Sequence, residues 1–401
     1  MSEVQKQGKT VLVGVSGGIA VFKICSLVSS LKKQGYEVHV LMSEGAQEFV
    51  TPLTFQTLSG QKVITDLFDT NYTPEVHHIS LARKADAFVI APATANVIAR
   101  IANGLADDFL TTTFLAADCP KLIVPAMNTH MLNNPITQDN LAKCRKYGMK
   151  VMESSSGYLA CGDVGNGRMP EASEIEDAVK EILHTDKYLS GKRVLITAGP
   201  TEEAIDPVRY LTNHSTGRMG FALARAARNA GAEVTLVAGH NYLPKVRGVE
   251  TIDVVSAKDM AEAVLSRKDE NDVFILSAAV ADYTPAHYVD NKIHKSEGSL
   301  TIETQRTTDI LAALGQSKKP GQVLIGFSME TDDMVRRTRD KLAKKNCDYI
   351  VGNNLKEKGA GFGTDTNRVV IISKEEEKEL GLLSKDETAE EILRWCLKEK
   401  N

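Results

Sequence analysis

Several short stretches of this chain gather small, hydroxyl-bearing or ionisable residues in ways that could meet a phosphate, a carboxylate or a proton. In the first half they are Val15-Ser16-Gly17-Gly18-Ile19-Ala20, Ala91-Pro92-Ala93-Thr94-Ala95-Asn96, Pro125-Ala126-Met127-Asn128 and the run from Ala160 to Met169. All four are expected on strand-to-helix loops, where open α/β sheets bind ligands. Ser16, Gly17 and Gly18 can turn backbone N–H groups and a hydroxyl toward a phosphate at a helix N-terminus. Cys161 lies beside Gly162, Gly165 and Gly167 and is poorly explained as core filling, unlike Cys25 or Cys144 on helical patterns. His77 and His78 could each serve as a base, and residue type does not choose between them. Asn128 also reads as a cap for the helix that follows. In the second half, Gly199-Pro200-Thr201 and Asn213-His214-Ser215-Thr216-Gly217-Arg218-Met219-Gly220 precede a helix expected over 221–230 and form another candidate phosphate cradle. Asp309 reads as a helix cap before Ile310. Lys341 and Lys345 stand i, i+4 on one face of a helix expected over 331–345, where charge pattern alone makes them solvated.

Three competing readings lose on spacing. A pyrophosphate-cleaving ATP loop needs an acid and a serine after Ser16-Gly17-Gly18, where Ile19 and Ala20 stand. The second-half glycines are wrongly spaced for a dinucleotide fingerprint. Tyr288 and Lys292 have the Tyr-x-x-x-Lys spacing of short-chain dehydrogenases, but that pair must lie one helical turn apart. Pro285, Val289 and the Asp290-Asn291 pair oppose a helix there, and the required glycine-rich opening is absent.

The elements that must position these residues begin twice. Gly191-Lys192-Arg193-Val194-Leu195-Ile196-Thr197 repeats the logic of Gly8-Lys9-Thr10-Val11-Leu12-Val13: a basic residue, then a β-branched apolar run. Strands are expected at 11–15, 38–42, 87–91, 122–125 and 149–152, then at 194–197, 233–237, 273–277, 323–327, 349–351 and 368–372, with helices between. Helices are also expected at 19–34, 171–183 and 388–400, and the charge run 375–379 as a solvated turn. Strands alternating with helices imply an α/β fold of two Rossmann-like domains, each a mostly parallel sheet flanked by helices. The boundary falls in the polar connection 184–191, giving domains 1–190 and 191–401.

Composition narrows the partners. A chain that is 42% hydrophobic with a formal net charge of -4 carries no basic stripe for nucleic acid or an anionic membrane. Its six cysteines are scattered without C-x-x-C or zinc spacing, the opening MSEVQKQGKT lacks an apolar h-region, and no run reaches membrane-span length. A cytoplasmic protein acting on small molecules is expected.

The first half resembles the flavin-dependent cysteine decarboxylases, in particular phosphopantothenoylcysteine decarboxylase, through the Ser-Gly-Gly-Ile-Ala loop, His78-Ile79-Ser80-Leu81-Ala82, Pro92-Ala93-Thr94-Ala95-Asn96, the 125–131 run and the 160–169 run. Leu132 departs from relatives that carry an aromatic residue, which bears on packing and not on chemistry. The resemblance implies FMN held by Ser16, Gly17, Gly18, Ser43, Thr94 and Asn96. It implies His78 as the base, Asn128 as the anchor of the substrate carboxylate, Cys161 as proton donor to an enethiolate, and Arg168 at the substrate phosphate or closing the loop. Oxidising the thiol-bearing carbon supplies the electron sink that decarboxylation needs.

The second half resembles phosphopantothenate–cysteine ligase over essentially 191–401, through the 206–217 run, Ser277-Ala278-Ala279-Val280-Ala281-Asp282-Tyr283, Lys292-Ile293-His294-Lys295, Thr308-Asp309-Ile310, Gly326-Phe327 and the 361–367 run. A fusion in this order implies CTP as activating nucleotide, bound through Ser277, Ala278, Ala279, Asp282, Lys292, Thr308, Asp309, Ile310, Phe327, Lys341 and Lys345. Mg2+ is implied as charge carrier, with Asp282 and Asp309 as candidate ligands. Lys292 would stabilise formation of an acyl-cytidylate, Asn213 would orient it, and Arg209 would hold the phosphate or carboxylate of the pantothenate end. Together the halves imply an enzyme of coenzyme A biosynthesis that joins 4′-phosphopantothenate to L-cysteine and decarboxylates the resulting 4′-phosphopantothenoylcysteine to 4′-phosphopantetheine. Trimeric decarboxylase and dimeric ligase contacts, up to a dodecamer, are implied too. An NAD-dependent oxidoreductase and a regulatory flavin-domain protein are the alternatives.

Overall fold

The computed structural model describes residues 8–67, 77–158, 160, 162–293, 300–330, 334–354, 364 and 366–398. Contacts divide the chain into two units, residues 1–185 and 186–401. Cys161, Asp365 and the stretches 294–295 and 361–363 of the quoted motifs lie outside the described residues.

In the first unit the strands Thr10–Val15, Glu37–Met42, Ala87–Ala93, Lys121–Pro125 and Lys150–Val151 form one parallel sheet. Its spatial order runs second, first, third, fourth, fifth, so the direction of winding reverses between Thr10–Val15 and Ala87–Ala93. The unbroken apolar character of these strands follows from layers on both faces. Val11, Val13 and Val15 enter one core with Ile24, Leu27 and Leu31, while Leu12 enters the other with Phe88, Ile90 and Ile98. Successive residues of one strand thus feed opposite cores, as the period of two requires.

In the second unit eight strands share a sheet, in the order Glu250–Asp253, Glu233–Ala238, Arg193–Ala198, Val273–Leu276, Val323–Glu330, Tyr349–Asn354, Val369–Ser373, Glu377–Glu379. The first six pair in parallel, and the last two are joined on by antiparallel pairings. Here the winding reverses between Arg193–Ala198 and Val273–Leu276. Val194 and Ile196 join the core under the helices Arg218–Asn229 and Lys385–Leu397, and Leu195 joins the opposite one with Phe274, Ile310 and Leu342.

Several elements differ from expectation. The charge run 375–379 is no plain turn: Glu377–Glu379 is an edge strand paired with Val370–Ile372, since an edge needs only one paired side and charged residues suit it. The closing helix begins at Lys385, three residues early, because Ser384 and Glu387 form a capping box. The helix expected from 221 begins at Arg218 after Gly217, whose φ of 75° only glycine adopts freely. Residues 164–168 of the run 160–169 lie in no strand-to-helix loop but in a two-stranded antiparallel pair, Ser155–Tyr158 with Val164–Arg168. Three more such pairs, Glu202–Ala204 with Tyr210–Thr212, Tyr283–Pro285 with Thr304–Arg306 and Thr366–Asn367 with Leu383–Ser384, belong to the second unit. Short strands rich in polar residues carry no alternating apolar signal, so periodicity misses them.

Candidate active sites

At the carboxyl ends of the first sheet, Ser16 follows the first strand, Ser43 the second and Thr94 the third. Ser16 is fully buried, and its hydroxyl donates to the Pro92 carbonyl at 2.7 Å and lies 3.2 Å from the Thr94 hydroxyl; the Thr94 amide donates back to the Ser16 oxygen at 3.0 Å. Thr94 also caps the helix Ala95–Ala102, whose first turn carries exposed Asn96. Gly17 backs onto Gly45 so closely that a Cβ would stand 2.7 Å from the Gly45 carbonyl carbon. These contacts cluster the two loops where the strand order reverses, the place at which open parallel sheets bind ligands. A glycine-lined turn with backbone amides and hydroxyls at a helix start suits a flavin phosphate.

A second group joins the fourth strand to the hairpin. The Asn128 side-chain oxygen accepts from the His130 amide at 2.8 Å, capping the short helix Thr129–Asn133, and its amide nitrogen donates to Asp163 at 3.2 Å. Capping therefore is one of its roles. The hairpin leans on this loop through glycine: a Cβ at Gly165 would stand 2.6 Å from the Thr129 hydroxyl, and the Met127 amide donates to the Gly167 carbonyl at 3.1 Å. Exposed Arg168 pairs with Glu171 at 2.7 Å. His78 sits half-buried on the helix His77–Lys84, its ring edge-on to Phe109 with centroids 6.5 Å apart.

The second unit repeats the arrangement with different parts. Gly199 and Gly217 both have positive φ, and a Cβ on Gly217 would stand 3.3 Å from the Gly199 amide. Ser277 donates to the Thr197 carbonyl at 2.6 Å, the Ala278 amide donates to the Thr197 hydroxyl at 3.1 Å, and the Ala281 amide to the Thr201 hydroxyl at 3.0 Å. The run 277–282 is thus stitched to the first loop across the reversal point. Exposed Asn213 donates to the carbonyls of Ala279 and Val280 at 3.1 and 3.2 Å, which brings it onto the same run.

Arg209 and Asn213 are not on one helical face, because Tyr210–Thr212 between them is a strand. Arg209 Nε donates to Asp206 at 3.0 Å, and Asp206 also accepts the amides of Val208, Arg209 and Ile293 at 2.8, 2.8 and 3.1 Å. The guanidinium holds the Asp206 carboxyl well below the usual carboxylate range; burial opposes it, and the backbone amides add to the lowering. Arg209 further donates to the Ile293 carbonyl at 2.8 Å, which tethers the segment bearing exposed Lys292. Asp206 escaped notice as an organising residue, although Asp-Pro-x-Arg is a turn signature in which aspartate bonds the backbone two residues on.

The two helix lysines are half-buried, not solvated. Lys341 donates to the Phe327 carbonyl at 3.3 Å, and Lys345 pairs with Asp309, which caps the helix Ile310–Ser317 through the Ala312 amide at 3.0 Å. Burial alone would raise the Asp309 carboxyl; the Lys345 ammonium and the Ala312 amide outweigh it and lower it. Exposed Thr308 and buried Ile310 flank it. In this arrangement the Asp309 carboxylate is engaged by the Lys345 ammonium and the Ala312 amide. Among the described residues no group of three or more His, Cys, Asp or Glu could hold a metal ion, and exposed Asp282 stands outside any such group.

Two family descriptions match the chain: "Flavoprotein" over residues 1–184, and "DNA/pantothenate metabolism flavoprotein C-terminal domain" over residues 189–399. The coenzyme A biosynthesis bifunctional protein CoaBC of Bacillus subtilis (strain 168) is 50% identical over 390 residues, 96% of each chain. A cysteine/cysteine sulfinic acid decarboxylase from an unknown prokaryotic organism is 46% identical over 357 residues, 87% of this chain and 99% of its own. Among solved structures, the C-terminal domain of a CoaBC protein is 44% identical and covers 52% of this chain and 95% of its own, with a TM-score of 0.45.

Proposed function

The chain belongs to the family of bifunctional coenzyme A biosynthesis proteins, flavoprotein enzymes that unite a decarboxylase and a ligase, and from that premise we propose how its residues divide the two reactions. Residues 191–401 would join 4′-phosphopantothenate to L-cysteine with CTP, and residues 1–190 would decarboxylate the 4′-phosphopantothenoylcysteine formed. The observation that carries the reading is the paired reversal points: in each sheet, glycine and hydroxyl loops are stitched together where the strand order turns.

In the ligase half, the substrate carboxylate attacks the α-phosphorus of CTP, releasing pyrophosphate and leaving an acyl-cytidylate; the amine of cysteine then attacks its carbonyl and CMP departs. Lysines matter because a carboxylate and a triphosphate repel, and fixed cations offset charge that develops in flight. Lys292, Lys341 and Lys345 would serve the phosphates, while Ser277, Ala278, Ala279, Asp282, Thr308, Asp309, Ile310 and Phe327 surround the nucleotide. Asn213 would orient the acyl-cytidylate from the 277–282 run it already touches. Arg209, with 40% of its side chain exposed beyond its Asp206 contact, would take the pantothenate end. Mg2+ would enter with the nucleotide through phosphate oxygens, since the described residues offer it no cage.

In the decarboxylase half, FMN would be held by Ser16, Gly17, Gly18, Ser43, Thr94 and Asn96. Once bound, it supplies a reversible two-electron sink for the thiol-bearing carbon. Asn128 would orient the substrate carboxylate with the amide nitrogen now on Asp163, His78 would accept a proton, and Cys161 Sγ would return one to the enethiolate carbon. Exposed Ile19 and Phe22, 57% and 60% accessible just after the Ser16–Gly18 loop, offer apolar surface for contact between copies. Apolar surface of that kind suits trimeric packing of the decarboxylase units, with dimeric ligase units completing a dodecamer.

The test is a coupled assay comparing CTP with ATP, following pyrophosphate, CMP and carbon dioxide alongside the visible flavin spectrum. Absence of pyrophosphate and CMP with CTP would refute the ligase assignment. The similarity to a cysteine decarboxylase favours a second reading, in which the flavin half takes free L-cysteine. Carbon dioxide release from cysteine without any nucleotide would select it.

A further inference from the structure

Neither helix lysine is idle in this structure. Lys345 is paired with Asp309 and Lys341 with the Phe327 carbonyl, so chain oxygens stand where phosphate oxygens would be gripped. The Lys345 side chain is 15% exposed and that of Asp309 51%, which leaves the anion on the wetter side of the pair. Packing holds the partners opposite each other. Asp309 is anchored as the cap of Ile310–Ser317, and the Asn346 amide nitrogen, next to Lys345, donates to the Gly315 carbonyl of that same helix at 2.8 Å. A Cβ at Gly315 would run into the Lys345 carbonyl, so only glycine lets the two helices approach this far.

This geometry has a consequence for any polyphosphate that uses Lys345. The ammonium must leave Asp309 to reach it, and the carboxylate left behind then faces a multiply charged anion across a few ångströms, where like charges repel. Resting on the nucleotide reading above, we propose that Asp309 is a place-holding anion: it keeps Lys345 in the free enzyme, yields it to the incoming nucleoside triphosphate, and reclaims it as pyrophosphate leaves. Such a group weakens substrate and product alike. It therefore acts on KM and on product release, not on the barrier to phosphoryl attack. Asp309 is a positioning residue in this scheme, acting through Lys345.

Asn and Ser cap helices as well as Asp does, so neutral variants at 309 remove the charge while keeping the helix start. Full-length, flavin-loaded wild type, Asp309→Asn and Asp309→Ser are titrated calorimetrically with CTP and, separately, with inorganic pyrophosphate. Both variants are expected to bind both ligands about three- to tenfold more tightly, the scale of losing one partly exposed opposing charge. In turnover the KM for CTP falls, and pyrophosphate becomes a stronger product inhibitor with a lower kcat. Equal or weaker affinity of the variants for either ligand overturns the proposal, because Asp309 would then only hold Lys345 ready. Wild type that binds neither ligand instead removes the nucleotide reading itself, so the two failures are told apart.

Discussion

Single residues matter here through what they hold in place. Asp206 fastens the 206–209 turn and, through the Ile293 amide, the segment carrying Lys292. Its carboxyl is lowered in the folded protein, so its contribution is complete above the unfolded value of about 3.9 and drains away as pH falls below it. Asp206→Asn should therefore lower the urea midpoint of the second unit at pH 6, with the gap to wild type narrowing between about pH 4 and pH 2 as the unfolded wild-type chain takes up a proton that the folded carboxyl resists. A gap that stays constant across that range would show that the ion pair contributes nothing. Asn213 poses a sharper case, because its amide nitrogen faces two carbonyls. Asn213→Asp turns that donor into a second anion-bearing acceptor. Pyrophosphate should still appear in a first-turnover burst while consumption of the acyl-cytidylate slows about 100-fold, the scale of losing one transition-state donor. Loss of the burst would move Asn213 into the activation step.

At the scale of elements, glycine sets how closely loops and helices come together. Gly17 lies against the Gly45 backbone, and any side chain there must push the Ser16–Gly18 loop away from the turn after Glu37–Met42. Gly17→Ala is expected to cost about 1–3 kcal/mol of overpacking strain and to yield pale protein, read from the visible absorbance per mole of purified chain. Full colour with an unchanged melting midpoint would mean the loops part without consequence. The hairpins illustrate why some elements escaped the sequence. Ser155–Tyr158 and Val164–Arg168 are mostly polar, and what folds them is glycine geometry, with Gly157 and Gly167 at positive φ and Gly165 against Thr129. No periodicity announces a pair that lies against a loop instead of a core.

At the scale of the molecule, each unit owns two apolar layers around its own sheet. Ligands that bind one unit should stabilise that unit by mass action and leave the other alone. Calorimetry of the full chain should show two unfolding transitions, one raised by added FMN and the other by added CTP; a single transition raised by both would mean the units unfold as one. The strands at 11–15 and 194–197, the two tandem starts and the loops that end those strands were legible in the sequence, because a strand buried on both faces must be apolar without interruption and a loop meeting phosphate must be small. Which loops meet was not. That Ser16 reaches Pro92 and Thr94, that Asn213 reaches Ala279, and that Lys345 is held by Asp309 depend on strand order. Strand order joins residues 36 to 78 positions apart and leaves no trace in local pattern, so only the folded chain could decide it.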